Sequence, residues 1–336
     1  MQQAAICGSF PGLVLLVGAQ NAPMSSPTLL ITAAGTGVGW AYALTLSQQF
    51  PDARLVTADT NDAALCSAAQ LAHRHQRWSP FEAGPAYLAQ LNALIDEAQV
   101  THYLPIIDPE IDFAARHRGQ IGAVVLAPDA RFTALGLAKD RYAAALSELG
   151  IDSPGTLCRA DIAAGRPGFA KRPGSFGGHG AWSIDRPEQL DALPGDTFVQ
   201  ERLAGPEFTA DCFPLDGGEV FTSVRERVET KSGVCTKARI APHPGMEAIA
   251  RRLVVGLGLR SPFCFQAMAD GERLAVTDLN PRLGAGTLMS AANGSDFFGA
   301  HLARDFGLPW QARLRRHHAR CAVTRQYVEL LAVEAA

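Results

Sequence analysis

The chain has 336 residues, and at about 150 residues per domain this length predicts about two domains or one large multi-lobed one. Apolar residues make up 47% and charged residues 19% of it, a globular composition that excludes a disordered or collagen-like chain. With 30 Lys and Arg against 33 Asp and Glu the net charge is −3, so no global basic field recruits nucleic acid or anionic lipid.

The 7 cysteines are scattered, odd in number and without a CxxC pair, which argues against a disulfide framework or a zinc site. No run of 18 apolar residues occurs, so nothing is expected to span a membrane. Residues 1–27 lack the Lys or Arg of a secretory n-region. They are read as a disordered leader, or as the product of an upstream start with Met24 the natural one.

From Thr28 the pattern becomes regular. Thr28–Thr32 is an apolar, β-branched run, 33–39 is glycine-rich and 40–50 has helical character, which together predict strand, turn and helix. Arg54–Asp59 reads as a second buried strand ending in an acid, about 20 residues beyond the glycines, as in a nucleotide-binding βαβ unit. A helix over 87–98 and strands over 102–107 and 119–125 continue the alternation, which implies a parallel sheet. A domain junction is expected between about Leu126 and Leu135. A helix over 135–149 follows, with Gly150 just past its end. Beyond Phe169 come short segments broken by Gly and Pro, read as antiparallel strands over 168–171, 197–201, 208–214, 220–227 and 238–241. A helix over 246–258 and a hairpin over 263–280 complete the pattern.

Three motifs carry chemistry. Gly35, Gly37 and Gly39 approximate a dinucleotide fingerprint, although the spacing is GxGxG, and the same glycines also suit a structural turn. In Phe169-Ala-Lys171-Arg-Pro-Gly174-Ser175-Phe-Gly177-Gly178-His179-Gly180 an apolar strand delivers a lysine to a loop whose free N–H groups can fold over phosphate oxygens. In Asp278-Leu-Asn280-Pro-Arg282, alternation along a strand puts a carboxylate, an amide and a guanidinium on one face, a hard-cation site beside an anion-binding arginine. Gln266 joins that face only if the hairpin loop holds an odd number of residues, such as a three-residue loop with Gly271 at positive φ. Asp108 and Glu110, at the end of a parallel strand, could meet a substrate ammonium. His73, His75 and the basic stretch 313–320 read as solvated surface.

The order of these segments resembles the ATP-grasp superfamily: Lys139-Asp-Arg, the Lys171 strand with its glycine loop, Val199-Gln-Glu201-Arg-Leu203, Gly205-Pro-Glu207, then Gln266 and Asp278 to Arg282. The similarity is greatest to members related to the carbamoyl phosphate synthetase large subunit and to amino-acid ligases, and it covers about 28–306. It implies an α/β chain, α+β in its second half: a Rossmann-like preATP-grasp domain over 28–126, then an ATP-grasp domain with a central lobe over 127–204 and a C-terminal lobe over 205–336. By the same resemblance Lys139 and Lys171 would touch ATP. Gly174, Ser175, Gly177 and Gly178 would cover its phosphates, Gln200, Glu201 and Leu203 would read adenine, and Glu207 would hold the ribose. Gln266, Asp278 and Asn280 would bind Mg²⁺, two ions by expectation, and Arg282 would steady the transferred phosphoryl group.

Two departures stand out. Asp278 replaces a more usual Glu, and no arginine closely follows Asn280-Pro-Arg282; its replacement is sought among Arg225, Arg227, Lys231 and Lys237. The resemblance implies a cytoplasmic ATP-dependent ligase that joins a small carboxylic acid, such as an amino acid, to an amine through an acyl phosphate. Thiol or bicarbonate chemistry stays open in the amine's place. Small-molecule substrates, no nucleic acid, no membrane and a homodimer are the expected partners. A nicotinamide-dependent oxidoreductase built on Gly35–Gly39 and Asp59, and a catalytically idle nucleotide-binding protein, are the competing readings.

Overall fold

The computed structural model describes residues 26–138, 142–173, 180–231 and 233–332. Lys139, Gly174, Ser175, Gly177, Gly178 and most of the expected leader therefore lie outside the described residues.

The apolar runs of the first hundred residues become the centre of a parallel sheet. β1 (Thr28–Thr32) is buried throughout, and β2 (Arg54–Asp59) is buried after its first residue, because a parallel strand is covered on both faces. Thr36 caps α1 (Gly37–Gln49), its hydroxyl accepting from Gly39 N. β3 (Arg74–Arg77), α2 (Pro85–Ala98), β4 (His102–Leu104), α3 (Asp108–Arg116) and β5 (Val124–Val125) complete a sheet of order β3-β2-β1-β4-β5, parallel throughout.

The strand expected over 102–107 ends at Leu104, before Pro105, and that over 119–125 is a 3₁₀ turn followed by two strand residues. β3 was unexpected. His73 and His75, read as solvated surface, flank and enter it: Leu55 N donates to His73 Nδ1 at 3.1 Å, and the His75 ring bonds the Thr57 hydroxyl at 2.9 Å.

The helix expected over 135–149 begins earlier. α4 (Ala130–Leu137) is capped by Asp129, and α5 (Tyr142–Glu148) precedes Gly150, which has the positive φ of a helix-terminating glycine. After the short α6 (Arg159–Ala163), β6 (Gly168–Lys171), β7 (Ala181–Ile184) and β8 (Phe198–Glu201) form a small antiparallel sheet with β6 in the middle.

The third sheet has six strands in the order β13-β12-β9-β10-β11-β14. These are β9 (Glu207–Pro214), β10 (Val220–Lys231), β11 (Val234–Ile240), β12 (Phe263–Asp270), β13 (Arg273–Asn280) and β14 (Cys321–Thr324), all antiparallel. α7 (Pro244–Leu257) packs Met246, Ala250 and Leu253 against Ala210, Phe263 and Phe265 on the sheet face opposite Asp278. α8 (Leu288–Ala292) and α9 (Phe297–Asp305) follow the hairpin, and Phe297, Phe298 and Leu302 of α9 share a core with α1. Among the described residues no helix is long and apolar enough to cross a membrane.

Candidate functional site

The hairpin β12–β13 reaches the expected face by an unexpected route. Asp270 pairs with Arg273, so its loop is the two residues Gly271 and Glu272, with Gly271 at φ +63°. Carried along a regular ladder, that register would oppose Gln266 to Thr277 and turn Asp278 to the far side. A β-bulge intervenes: Ala267 pairs with Val276, but Gln266 pairs with Asp278 and Cys264 with Asn280. The parity expected of the loop is supplied by one extra residue in β13.

Neighbouring strands extend this face. Thr209 lies beside Gln266 and Glu207 beside Met268, while Arg225 pairs with Thr209. Alternation puts Glu207, Asp211, Arg225, Arg227, Gln266, Asp278 and Asn280 on one side of the sheet. Asn280 Nδ2 donates to Asp278 Oδ2 at 3.0 Å. Arg227 Nε lies 3.0 Å from Glu207 Oε2. With the Gln266 amide turned to satisfy both neighbours, its nitrogen donates to Glu207 Oε1 at 3.1 Å and its oxygen accepts from Arg227 Nη1 at 2.8 Å. Burial pushes the Glu207 carboxyl above its ordinary value, against Arg227 and with Asp278, while Lys171 pulls it down, which places Lys171 and Asp278 in the same electrostatic neighbourhood.

Lys171 reaches that neighbourhood from the small sheet. Its Nζ donates to Thr277 O at 3.0 Å, and the Tyr142 hydroxyl donates to the same carbonyl at 2.6 Å. Arg282 closes the far end: Nε donates to Asp108 Oδ1 at 2.7 Å and Nη2 to Asp108 Oδ2 at 3.4 Å. Asp108, expected to meet a substrate ammonium, instead grips the site arginine. Glu110 is buried under it, accepting from the Tyr87 and Tyr103 hydroxyls, and burial pushes its carboxyl up. Close backbone approach builds this corner, because a Cβ on Gly136 of α4 would stand 2.9 Å from Pro281 Cδ and 3.2 Å from Leu279 O.

Six further candidates remain among the described residues. Arg225 is sealed at 3% exposure against Asp211 at 0%, and Asp211 also accepts from the Thr287 and Ser290 hydroxyls at 2.8 and 2.7 Å. Lys237 is exposed, its Nζ 2.8 Å from Glu229 on the neighbouring strand. Glu201 ties the small sheet to the hairpin, accepting from Arg273 at 2.5 Å and from Gly155 N at 2.9 Å. These contacts overcome its burial and hold it below the usual carboxylate range. Lys231 is exposed at the end of β10. Gln200 and Leu203 are buried in the segment that leads from the small sheet to the large one.

Sequence reasoning missed one cation. Arg325, just beyond β14, donates to Ala285 O, is half-buried, and has its pKa lowered by burial and then by neighbouring Arg225. Among the described residues no carboxylate pairs with it, and the signal in the sequence was an arginine at the end of a short strand of small residues. Burial pushes the Cys264 thiol up to about 12, which leaves it a poor nucleophile at neutral pH. Among the described residues no three His, Cys, Asp or Glu side chains converge as a metal site, and the expected set is one carboxylate, Asp278, with the amides of Gln266 and Asn280.

The glycines of the first sheet hold a turn. Asp59 Oδ2 accepts from Gly35 N at 2.7 Å and Oδ1 accepts from Asn61 N and Nδ2 at 2.9 and 2.8 Å, so its carboxylate is engaged by the loop itself.

A parallel βα sheet, a small antiparallel sheet delivering a lysine and a large antiparallel sheet bearing an Asp-x-Asn-Pro-Arg strand end together make the ATP-grasp fold. Within that class, residues 194–326 match the family described as "ATP-grasp in the biosynthetic pathway with Ter operon". No curated protein matches the chain. Solved structures do. The biotin carboxylase domain dimer of Hydrogenobacter thermophilus 2-oxoglutarate carboxylase, in complex with MgADP, ADP and bicarbonate, is 13% identical with a TM-score of 0.68, covering 86% of this chain and 72% of that one. The N5-carboxyaminoimidazole synthetase of Staphylococcus aureus is 13% identical (TM-score 0.68; 88% and 81% covered). The N5-carboxyaminoimidazole ribonucleotide synthetase of Thermus thermophilus is 18% identical (0.68; 88% and 82%). At these identities the likeness is one of fold.

Proposed function

We propose that the protein is an ADP-forming, ATP-dependent ligase that joins a small carboxylic acid, an amino acid among the candidates, to an amine. The observation that carries this reading is the gathering of Glu207, Gln266, Asp278 and Asn280 on one face of the large sheet, with Lys171 brought to it from the small sheet and Arg282 just past the strand end. The relatives of like fold, two described as synthetases and one with MgADP and bicarbonate, lend support.

In the proposed reaction the substrate carboxylate oxygen attacks the γ-phosphorus, ADP leaves, and the amine then attacks the acyl carbon and expels phosphate. Lys171 binds phosphate oxygens from the small-sheet side, and Arg282, its guanidinium set by Asp108, faces the transferred group. Arg227 and Arg325 offer positive charge to the substrate carboxylate. Mg²⁺ takes one or two carboxylates and completes its shell with phosphates and water, so an Asp278 carboxylate beside the Gln266 and Asn280 amides fits it. When bound, the ion neutralises charge on the nucleotide phosphates. Glu207, held by Arg227 and Gln266, is assigned to the ribose hydroxyls. The proposal includes substrate entry between a 28–126 domain and the lobes 127–204 and 205–336, a cytoplasmic location, and a homodimer, which light scattering tests.

The direct test is ADP release by the purified protein with MgATP against paired amino acids, small carboxylates, bicarbonate and amines. Release that depends on both an acid and an acceptor is expected; ATP binding with no release on any pair would identify an idle nucleotide-binding protein instead. Asp278→Ala should remove most of the release and leave the urea midpoint nearly unchanged, since it deletes a carboxylate at a strand end and no core packing.

A further inference from the structure

The bulge lies in β13, the edge strand of the large sheet, and side chains from outside that sheet bond one of its carbonyls. Thr277 is the extra residue, and its oxygen accepts from the Tyr142 hydroxyl at 2.6 Å and from Lys171 Nζ at 3.0 Å. Both donors come from outside the large sheet: Tyr142 opens α5, and Lys171 ends β6. The two hold the peptide that runs directly into Asp278. Tyr142 is 1% exposed, and it lies close enough to Asp278 for that carboxylate, after burial, to raise its phenol pKa.

We propose that Tyr142 is a positioning residue for the cation site, acting through the Thr277 carbonyl to fix the direction in which Asp278 leaves the bulge. The inference rests on the ligase reading for the cation itself. Its logic is an asymmetry between the two donors. Lys171 is assigned to phosphate oxygens, so nucleotide competes with Thr277 O for its ammonium group. Tyr142 has no such second claim, and it holds the carbonyl when the lysine turns to the nucleotide. Without its hydroxyl the Thr277 carbonyl keeps Lys171 as its side-chain donor among the described residues, and that hold weakens when the nucleotide draws the lysine away.

The test uses the full chain, Mn²⁺ as the probe and ADP at saturation, with free Mn²⁺ read by its electron paramagnetic resonance signal. Tyr142→Phe removes one hydroxyl and keeps the ring, and Lys171 still satisfies the carbonyl in the free protein, so the variant folds. Its Mn²⁺ dissociation constant should rise about tenfold, the lower range for losing a group that orients a metal ligand, while ADP affinity in EDTA stays within about twofold. Leu146→Val, a fully buried change on the same helix, should lower the melting temperature and leave Mn²⁺ affinity unmoved. Equal Mn²⁺ affinity in wild type and Tyr142→Phe would overturn the positioning role and leave the ligase reading standing. A wild-type protein that holds no Mn²⁺ with ADP would overturn the cation site, and the role of Tyr142 with it.

Discussion

Arg225 and Arg227 stand two residues apart on the same face of the same strand, and each pairs with an acid from the adjacent strand. The inner pair, Arg225 with Asp211, is exposed by only 3% and 0%, and two hydroxyls from the 287–290 segment complete the shell of Asp211. The outer pair, Arg227 with Glu207, is exposed by 10% and 30% and shares its charges with Gln266. Distance along a strand thus separates a charge that closes the core from one that a ligand can reach. The difference lies in what covers the face: the segment after Arg282 folds back over the inner end and leaves the outer end open to the small sheet.

That contrast can be broken at several points. Asp211→Ala leaves a buried guanidinium uncompensated and should lower stability by about 3–5 kcal/mol in urea denaturation, whereas Glu207→Ala should lose far less. A small effect at Asp211 would mean the inner end is wetter than its exposure indicates. Arg325→Ala removes the half-buried cation beside Arg225; on the proposed reading kcat/KM for the carboxylate should fall about tenfold through a higher KM, with KM for ATP unmoved.

Glu110 offers a subtler test in the first sheet. Its pKa is raised by burial, so the folded state holds its proton more tightly than the unfolded state, and stability must fall as pH climbs from the ordinary glutamate value through the raised one. Glu110→Gln keeps an oxygen for Tyr87 and Tyr103 and should flatten that decline in melting temperature against pH. Smallest of all, Lys237→Ala, at an exposed pair, should change stability by no more than about 0.5 kcal/mol and leave turnover alone.

Continuous apolar runs made β1 and β2 readable to the residue, since buried strands leave no other pattern, and flanking Gly and Pro bounded β6. β3 and β14 escaped because they lie at sheet edges with charged or small residues, where no hydrophobic period survives. Site residues on short motifs, Lys171 and Asp278 to Arg282, could be nominated from spacing. Arg225 and Arg227 could not be told apart, because period two gives them the same face and burial depends on the 287–290 cover, about 60 residues away. Arg325 is brought beside Arg225 by the pairing of β14 with β11, and nothing local announces that. The hairpin carried a correct face by an incorrect device: the loop was expected to set the parity of Gln266, and the bulge sets it.

That device has a practical side. Because the offset is made within the strand, away from the tip at Gly271-Glu272, a change at the tip that keeps Asp270 paired with Arg273 leaves the direction of the acid as it is. A short epitope or fluorophore-bearing peptide grafted there lengthens an exposed turn and leaves the ladder from Cys264 to Asp278 as it was. The hairpin tip is thus a natural handle for surface immobilisation or distance measurements.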